Sequence, residues 1–313
     1  MDTILVAGVD SLVGTNLAAV LAKQHRVVGL AADTPVSIFN CEIEYCSEYD
    51  RELVRRSIAA SGANRIVYCG AAAQSTWDPA AANANHETDA AAIRIWAQTA
   101  DEFDCHFTAI SSDAVFSGPW MFHAESCRSL CPSTTARSIR GVERAARELC
   151  PQTLVIRTNA FGWAHPAVER GWIETVLLAL ETGEAISFDH TRHATPILAT
   201  DLAEIVQQAL AANLTGVYHV AGAERVNPLQ FATLLAREFG LPEPASASAG
   251  SLTELPTGFG RGETSLNCSS IRKCLGVTMP VIADGIGRLA RQQRDGYCDR
   301  LCAECAELHE MVA

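Results

Sequence analysis

The segment Gly8-Val9-Asp10-Ser11-Leu12-Val13-Gly14 has the residue types of an anion-binding turn. It follows the apolar run "TILVAG" (3–8) and opens the helical pattern "LVGTNLAAVLAKQ" (12–24). A strand, a tight turn of small residues and a helix N-terminus aim backbone N–H groups at one point, and the helix dipole adds positive charge there. A dinucleotide pyrophosphate suits such a turn. The spacing fits G-x-x-G-x-x-G with Ser11 at the middle glycine, where its Cβ would approach the pyrophosphate. Gly8, Ser11, Leu12, Val13 and Gly14 are the expected contacts. A strand-to-helix turn that binds nothing would carry the same glycines, so the flanking strand and helix bear the argument. Cofactor choice is read at the end of the second strand, Leu30-Ala31-Ala32-Asp33. Asp33 is the acid placed to bond ribose hydroxyls, and no arginine follows before Arg51. NAD(H) is slightly favoured over NADP(H) on that ground.

A second group of reactive residues lies near the C-terminus. "CDRLCAECAELH" puts Cys298, Cys302, Cys305 and His309 at i, i+4, i+7 and i+11, on one face of a helix. These are zinc-ligand types, but a tetrahedral site needs four ligands converging on one point. A straight helix spreads them over roughly 16 Å. Cysteine serves equally as a small apolar residue on a buried stripe with Leu301 and Leu308. No metal is expected.

The chain that must position these groups has 313 residues, 48% of them hydrophobic and 19% charged, enough for a sizeable core. The formal net charge of -12 argues against nucleic acid or an anionic membrane as partner. Twelve cysteines without regular spacing do not make a disulfide framework in a chain of this length. The first residues, "MDTILVAGVDS", lack the features of a signal peptide, and no apolar run approaches the roughly 20 residues of a membrane span. A cytoplasmic protein with reduced thiols is expected.

Short apolar runs alternate with helical patterns through the first half. Strands are expected at 3–8, 26–30, 65–70, 106–112 and 153–158. Helices are expected at 12–24, 51–61, 80–103 and 133–149. This is the pattern of an α/β Rossmann-type doubly wound parallel sheet covered on both faces. The second half is less regular. Helices are expected at 170–182, from 200 with a capping box of Asp201 and Glu204, at 227–240, near 269–275 and at 280–293. A strand is expected at 216–222 and a loop at 243–264. The division expected is a dinucleotide-binding part (1–160), a smaller substrate-side α/β part (161–293) with chain exchange between the two, and a helical tail (294–313).

Several segments together resemble the extended short-chain dehydrogenase/reductase superfamily, and most of all its dTDP-4-dehydrorhamnose reductases. They are "YCGAAA" (68–73), "AANANHE" (81–87), "ISSDAVFSG" (110–118), "VIRTNAFGW" (155–163), "ATPILATDLAEIV" (194–206) and the run 214–240. "SLNCSSIRKCLG" (265–276) and "MPVIADGI" (279–286) continue the likeness, which covers about residues 3–292. The resemblance implies an NAD(P)-dependent reductase for a nucleotide-linked or small keto sugar. It places Gly70, Ala71, Ala72 and Asn85 beside the cofactor, Ser112 at the substrate oxygen, and Asp113, Val115, Asn159 and Trp163 on the substrate side. Homodimers through the helices near 80–103 and 133–149 are typical of the superfamily.

The resemblance breaks at "TTARSIRG" (134–141). The family keeps a tyrosine there as proton donor and a lysine four residues later, one turn along the same helix face. Here Thr135 stands at the tyrosine and Ile139 at the lysine, and the chain has no tyrosine between Tyr68 and Tyr218 and no lysine between Lys23 and Lys273. A threonine hydroxyl is far too weak an acid to replace a phenol. Arg137 or Arg140 could supply charge near the ribose or be an ordinary surface cation. His123, on the loop after the strand ending at Ser112, titrates near neutral pH and is a candidate general acid; a loop histidine bonded to a carbonyl is the competing expectation. Two functions follow: a reductase with another proton donor, or a non-catalytic binding protein on the same fold, as in the regulatory subunit of methionine adenosyltransferase.

Overall fold

A computed structural model describes residues 2–32, 34–46, 49–78, 81, 84, 86–168, 171–183, 191–244 and 258–302. Its centre is a parallel sheet in the order β3-β2-β1-β4-β5-β6-β9. The strands are β1 (Thr3–Ala7), β2 (Arg26–Ala31), β3 (Cys41–Tyr45), β4 (Arg65–Tyr68), β5 (His106–Ser112), β6 (Leu154–Thr158) and β9 (Gly216–His219). The central strands β1, β4 and β6 are mostly apolar because both of their faces are covered. Ile4 and Val6 share one core with Val67, Ile110, Leu17 and Leu202. Leu5 and Ala7, pointing the other way, share a second with Ile66, Phe107, Ile58 and Trp96.

Helices α1 (Leu12–Leu21) and α6 (Ala199–Ala211) cover the first face, and α2 (Arg51–Ser61), α3 (His86–Glu102) and α4 (Thr134–Leu149) the second. Strand order reverses direction between β1 and β4, so the C-terminal ends of these two strands open the crevice in which such sheets bind ligands. A third core, of Trp77, Phe161, Trp163, Trp172 and Phe231, gathers α5 (Trp172–Thr182), α7 (Pro228–Phe239), α9 (Ile282–Arg294) and α10 (Tyr297–Arg300). It also holds the two-residue strands β7 (Ala160–Phe161) and β8 (Ile197–Leu198), while α8 (Ser269–Leu275) packs by β9. Through α6 and β9, the second half of the chain returns to the main sheet.

Three expectations need correction. β3 was not foreseen, although "CEIEY" alternates apolar and charged residues as an edge strand with one wet face does. Helix α3 begins at His86 rather than at 80. The Asp201–Glu204 capping box does not form: α6 starts at Ala199 without a side-chain cap, and Asp201 instead meets Arg288 of α9 at 2.5 Å. Of the C-terminal cysteine stripe, Cys305 and His309 lie outside the described residues.

Candidate functional site

The glycine loop leaves no room for a side chain at Gly8 or Gly14. Gly8 has φ +74°, and a Cβ there would overlap the carbonyl of Cys69; a Cβ on Gly14 would overlap the carbonyl of Gly8. Ser11 is the N-cap of α1: its hydroxyl donates to the Gly8 carbonyl at 2.7 Å and accepts the Gly14 amide at 3.0 Å. The side chain is thus spent inside the turn. Leu12 and Val13 are the first two helical residues, whose amides a helix leaves without an intrahelical acceptor. These two N–H groups fit an anion at the helix N-terminus.

Asp33 lies outside the described residues. An acid that sequence reading passed over takes part at the end of β2: the Asp10 carboxylate accepts the amides of Ala32 at 3.1 Å and Thr34 at 2.9 Å. Its only sequence signal is its place inside the glycine loop.

Across the crevice, Ala71–Ala73 form a single 3-10 turn after β4, with Gly70 before it. Gly70 is held bare by Asp89 of α3, whose Oδ1 a Cβ there would overlap. Asp89 accepts the Tyr68 hydroxyl at 2.6 Å and the amides of Ala71 and Ala72. Burial raises the pKa of Asp89 against these donors. Asn85 lies outside the described residues.

Ser112 ends β5 and caps the turn that follows, accepting the Ala114 amide at 3.1 Å. Asp113 is fully buried at a junction of three segments. It accepts Nδ2 of Asn159 at 3.0 Å and the hydroxyl of Thr264 at 2.7 Å, and Ser75 donates to Asn159 Oδ1 at 2.6 Å. Burial pushes its pKa up to about 6, with the Thr264, Asn159 and Ser112 hydrogen bonds opposing. Asp113 and Asn159 are thus brought into direct contact. Val115 and Trp163 do not join them. Val115 is wholly in the core, and the Trp163 indole is buried, donating to the Leu289 carbonyl at 3.1 Å.

On α4 Thr135 is half-buried, while Ile139 is 3% exposed and lines a small internal cavity with Tyr68, Asp89, Ser111 and Glu143. Glu143 is bound by Arg157 at 2.6 Å and by the Ser111 hydroxyl at 2.6 Å, so its charge is compensated inside the fold. Arg140 donates to the carbonyls of Val115 and Cys131. Both bonds come from Nη1; Arg137 is exposed.

His123 is turned inward. It is 1% exposed and stacks on Phe116 with ring centroids 4.8 Å apart. Nε2 meets the Glu263 carbonyl at 3.1 Å and Nδ1 meets Cys127 Sγ at 3.2 Å. Both ring nitrogens are engaged, so the side chain offers no proton to a substrate in the crevice. This is the competing expectation of a carbonyl-bonded loop histidine, with a thiol added. Trp77 is buried against Trp172 and Phe231, whereas Trp120 is exposed.

Residues 1–294 match the model of the RmlD substrate binding domain. The chain belongs to that family. The resemblance carried by the scattered sequence segments is thereby shown at family level. A probable low-salt glycan biosynthesis reductase, Agl14 of Haloferax volcanii, is 24% identical over 295 residues, spanning 91% of this chain and 96% of that protein. Among solved structures, dTDP-4-dehydrorhamnose reductase of Bacillus anthracis in complex with NADP has a TM-score of 0.76 at 16% identity, covering 93% of this chain and 99% of that one. The Bordetella bronchiseptica enzyme WbmH in complex with NAD+ has a TM-score of 0.72 at 16% identity, covering 94% and 99%. These likenesses show a shared Rossmann-type fold. Within this RmlD-family chain, the described residues contain no group of three or more metal-ligand side chains and no helix long and apolar enough to cross a membrane.

Proposed function

We propose that this RmlD-family chain binds a nicotinamide dinucleotide and a nucleotide-linked or small keto sugar, without the Tyr-Lys proton relay of the family's reductases. The observation that carries the reading is Ile139. With the helix matched to the family's Tyr-x-x-x-Lys segment, buried Ile139 takes the lysine's place and half-buried Thr135 the tyrosine's, which supports the reading. The amides of Leu12 and Val13 would hold the pyrophosphate, with Gly70, Ala71 and Ala72 across the crevice. Bound there, a nicotinamide would supply or accept hydride. The relatives with NADP and NAD+ support a nicotinamide cofactor and divide on which one. Ser112, Asp113 and Asn159 would form the sugar side. Among the described residues no helix is long and apolar enough to cross a membrane; a cytoplasmic location is the expectation from sequence.

A second reading, reduction with a substituted acid, rests on one feature. Asp113 is a carboxylic acid with a pKa near 6, and the Ser112 hydroxyl lies 3.4 Å from it. In that reading Asp113 would pass a proton through Ser112 to the sugar oxygen. Calorimetric titration with NADH, NADPH and a panel of nucleotide sugars, followed by turnover assays of the same mixtures, tests both. Binding with no NADH consumption supports the first reading. Turnover that Asp113→Asn abolishes supports the second. Folded protein that binds no dinucleotide at millimolar concentration overturns both.

A further inference from the structure

We propose that Cys127 and His123 form a nucleophile–base pair, a reactive thiol site for small disulfides on the loop between β5 and α4. The placement of each ring nitrogen carries it. Nε2 faces the Glu263 carbonyl at 3.1 Å. A carbonyl only accepts, so Nε2 holds the proton, and Nδ1 of the neutral ring is a bare acceptor. That acceptor lies 3.2 Å from Cys127 Sγ. The thiol proton therefore meets a base whose tautomer and orientation a third group fixes, the arrangement that activates a nucleophile.

The ring cannot easily turn away. It stacks on Phe116 with a 4° angle between planes, and its backbone is tied to Ser265 at 2.7 Å and Asn267 at 2.8 Å. Burial lowers the pKa of His123, which keeps the ring neutral and able to accept a proton. The Ser129 amide donates to Sγ at 3.4 Å, an interaction that strengthens as negative charge grows on sulfur. Cys127 is partly exposed, so a small reagent can reach it. Other charged or titratable groups around the pair are few. Glu263 is bound by Arg225, His219 and Arg157 lie across Phe116, Glu125 is held by the His219 amide and Ser270, and Arg128 is an exposed neighbour.

The reaction is thiol–disulfide exchange. Cys127 gives its proton to His123 Nδ1 as its sulfur attacks one sulfur of a disulfide RSSR. The S–S bond breaks and Cys127–S–SR forms. The departing thiolate takes the proton back from the imidazolium and leaves as RSH. The disulfide is the oxidant, and no other is needed.

The test uses 2-hydroxyethyl disulfide on the full chain, with modified cysteines mapped by peptide mass. Cys274 is exposed and serves as the internal standard. Cys127 is expected to react at least about tenfold faster than Cys274 at neutral pH, the low end of general base assistance being larger still. Equal or slower reaction overturns the proposal. An unassisted thiol gains about tenfold in rate per pH unit below its pKa. Cys127 should instead change by less than about twofold between roughly pH 7 and 8, and a climb parallel to that of Cys274 overturns the pair. His123→Gln keeps an N–H for the Glu263 carbonyl but removes the base. It should slow Cys127 to the level of Cys274 without altering Cys274, and an unchanged Cys127 rate overturns the proposal. Should that variant not fold, the rate ratio and pH profile of the natural chain still decide.

Discussion

The hydroxyl of Ser11 accepts the amide of Gly14 at 3.0 Å while donating to the carbonyl of Gly8, so one side chain closes the turn between β1 and α1 from both ends. A family glycine at this position would leave the third amide of α1 unsatisfied. Ser11→Ala should therefore lower stability by about 1 kcal/mol, the ordinary worth of an N-cap, with a smaller loss for glycine. Denaturant unfolding measures it. A variant as stable as the natural chain would show that water caps the helix equally well.

The glycine loop was legible because its signals are local: an apolar run, small residues at fixed spacing, and a helical pattern. The N-cap at Asn227, with Pro228 first in α7 and Gly240 in the left-handed conformation after it, was legible for the same reason. The Asp113 junction was not. Asp113 and Thr264 are 151 positions apart, and nothing near either residue announces the bond. The role of His123 was hidden likewise. Its ring direction is set by Glu263, 140 residues on, and by the face of Phe116. Asp201 and Glu204 had the spacing of a cap, but the partner that claimed Asp201 is Arg288 on another helix. Local capping chemistry lost to a long-range ion pair.

Asp113 should make stability fall as pH rises. Its folded pKa, about 6, lies above the ordinary carboxylate value of 3.8. Below about pH 4 both states are protonated and the group costs nothing. As pH rises through 6 the unfolded chain ionises freely while the folded chain must ionise a buried acid. The shift corresponds to on the order of 3 kcal/mol above pH 6. Asp113→Asn should remove that slope, measured as the difference in unfolding free energy between the two chains from pH 4 to pH 7. Parallel curves would refute the raised pKa.

His219 should act on the acid side with the opposite sign. It is wholly buried, and burial followed by the charge of Arg157 pushes its pKa down to about 3 from 6.5, with the backbone carbonyls of His123 and Asn267 opposing. The folded state then refuses a proton that the unfolded state accepts. Stability present above pH 6.5 is lost as pH falls, by on the order of 3 kcal/mol at pH 4. His219→Leu, which removes the titrating group, should flatten this acid slope. Because each slope is read against its own variant, the Asp113 and His219 effects separate. An acid transition unchanged by His219→Leu would place the sensitivity elsewhere.

The missing relay can be rebuilt. Thr135→Tyr with Ile139→Lys puts a phenol and an ammonium one turn apart on α4. The ammonium would enter the small cavity beside Asp89 and Glu143, two carboxyls that can accept from it. That makes burial tolerable but not free, since a buried charge must be paired and bonded to avoid a large desolvation cost. The double variant should melt below the natural chain, and folding must be confirmed before activity is read. An unassisted phenol, with a pKa about 10, transfers protons poorly near neutral pH; the lysine lowers that value. General acid catalysis of this kind contributes roughly 10²–10⁴-fold. NADH consumption with a 4-keto nucleotide sugar should rise by that order in the double variant and far less in either single one. A folded double variant that binds both ligands and gains nothing would mean that the crevice no longer places a sugar carbonyl beside α4. Natural-chain turnover already at a reductase's rate would instead place the proton donor off this helix, with Asp113 the first residue to replace.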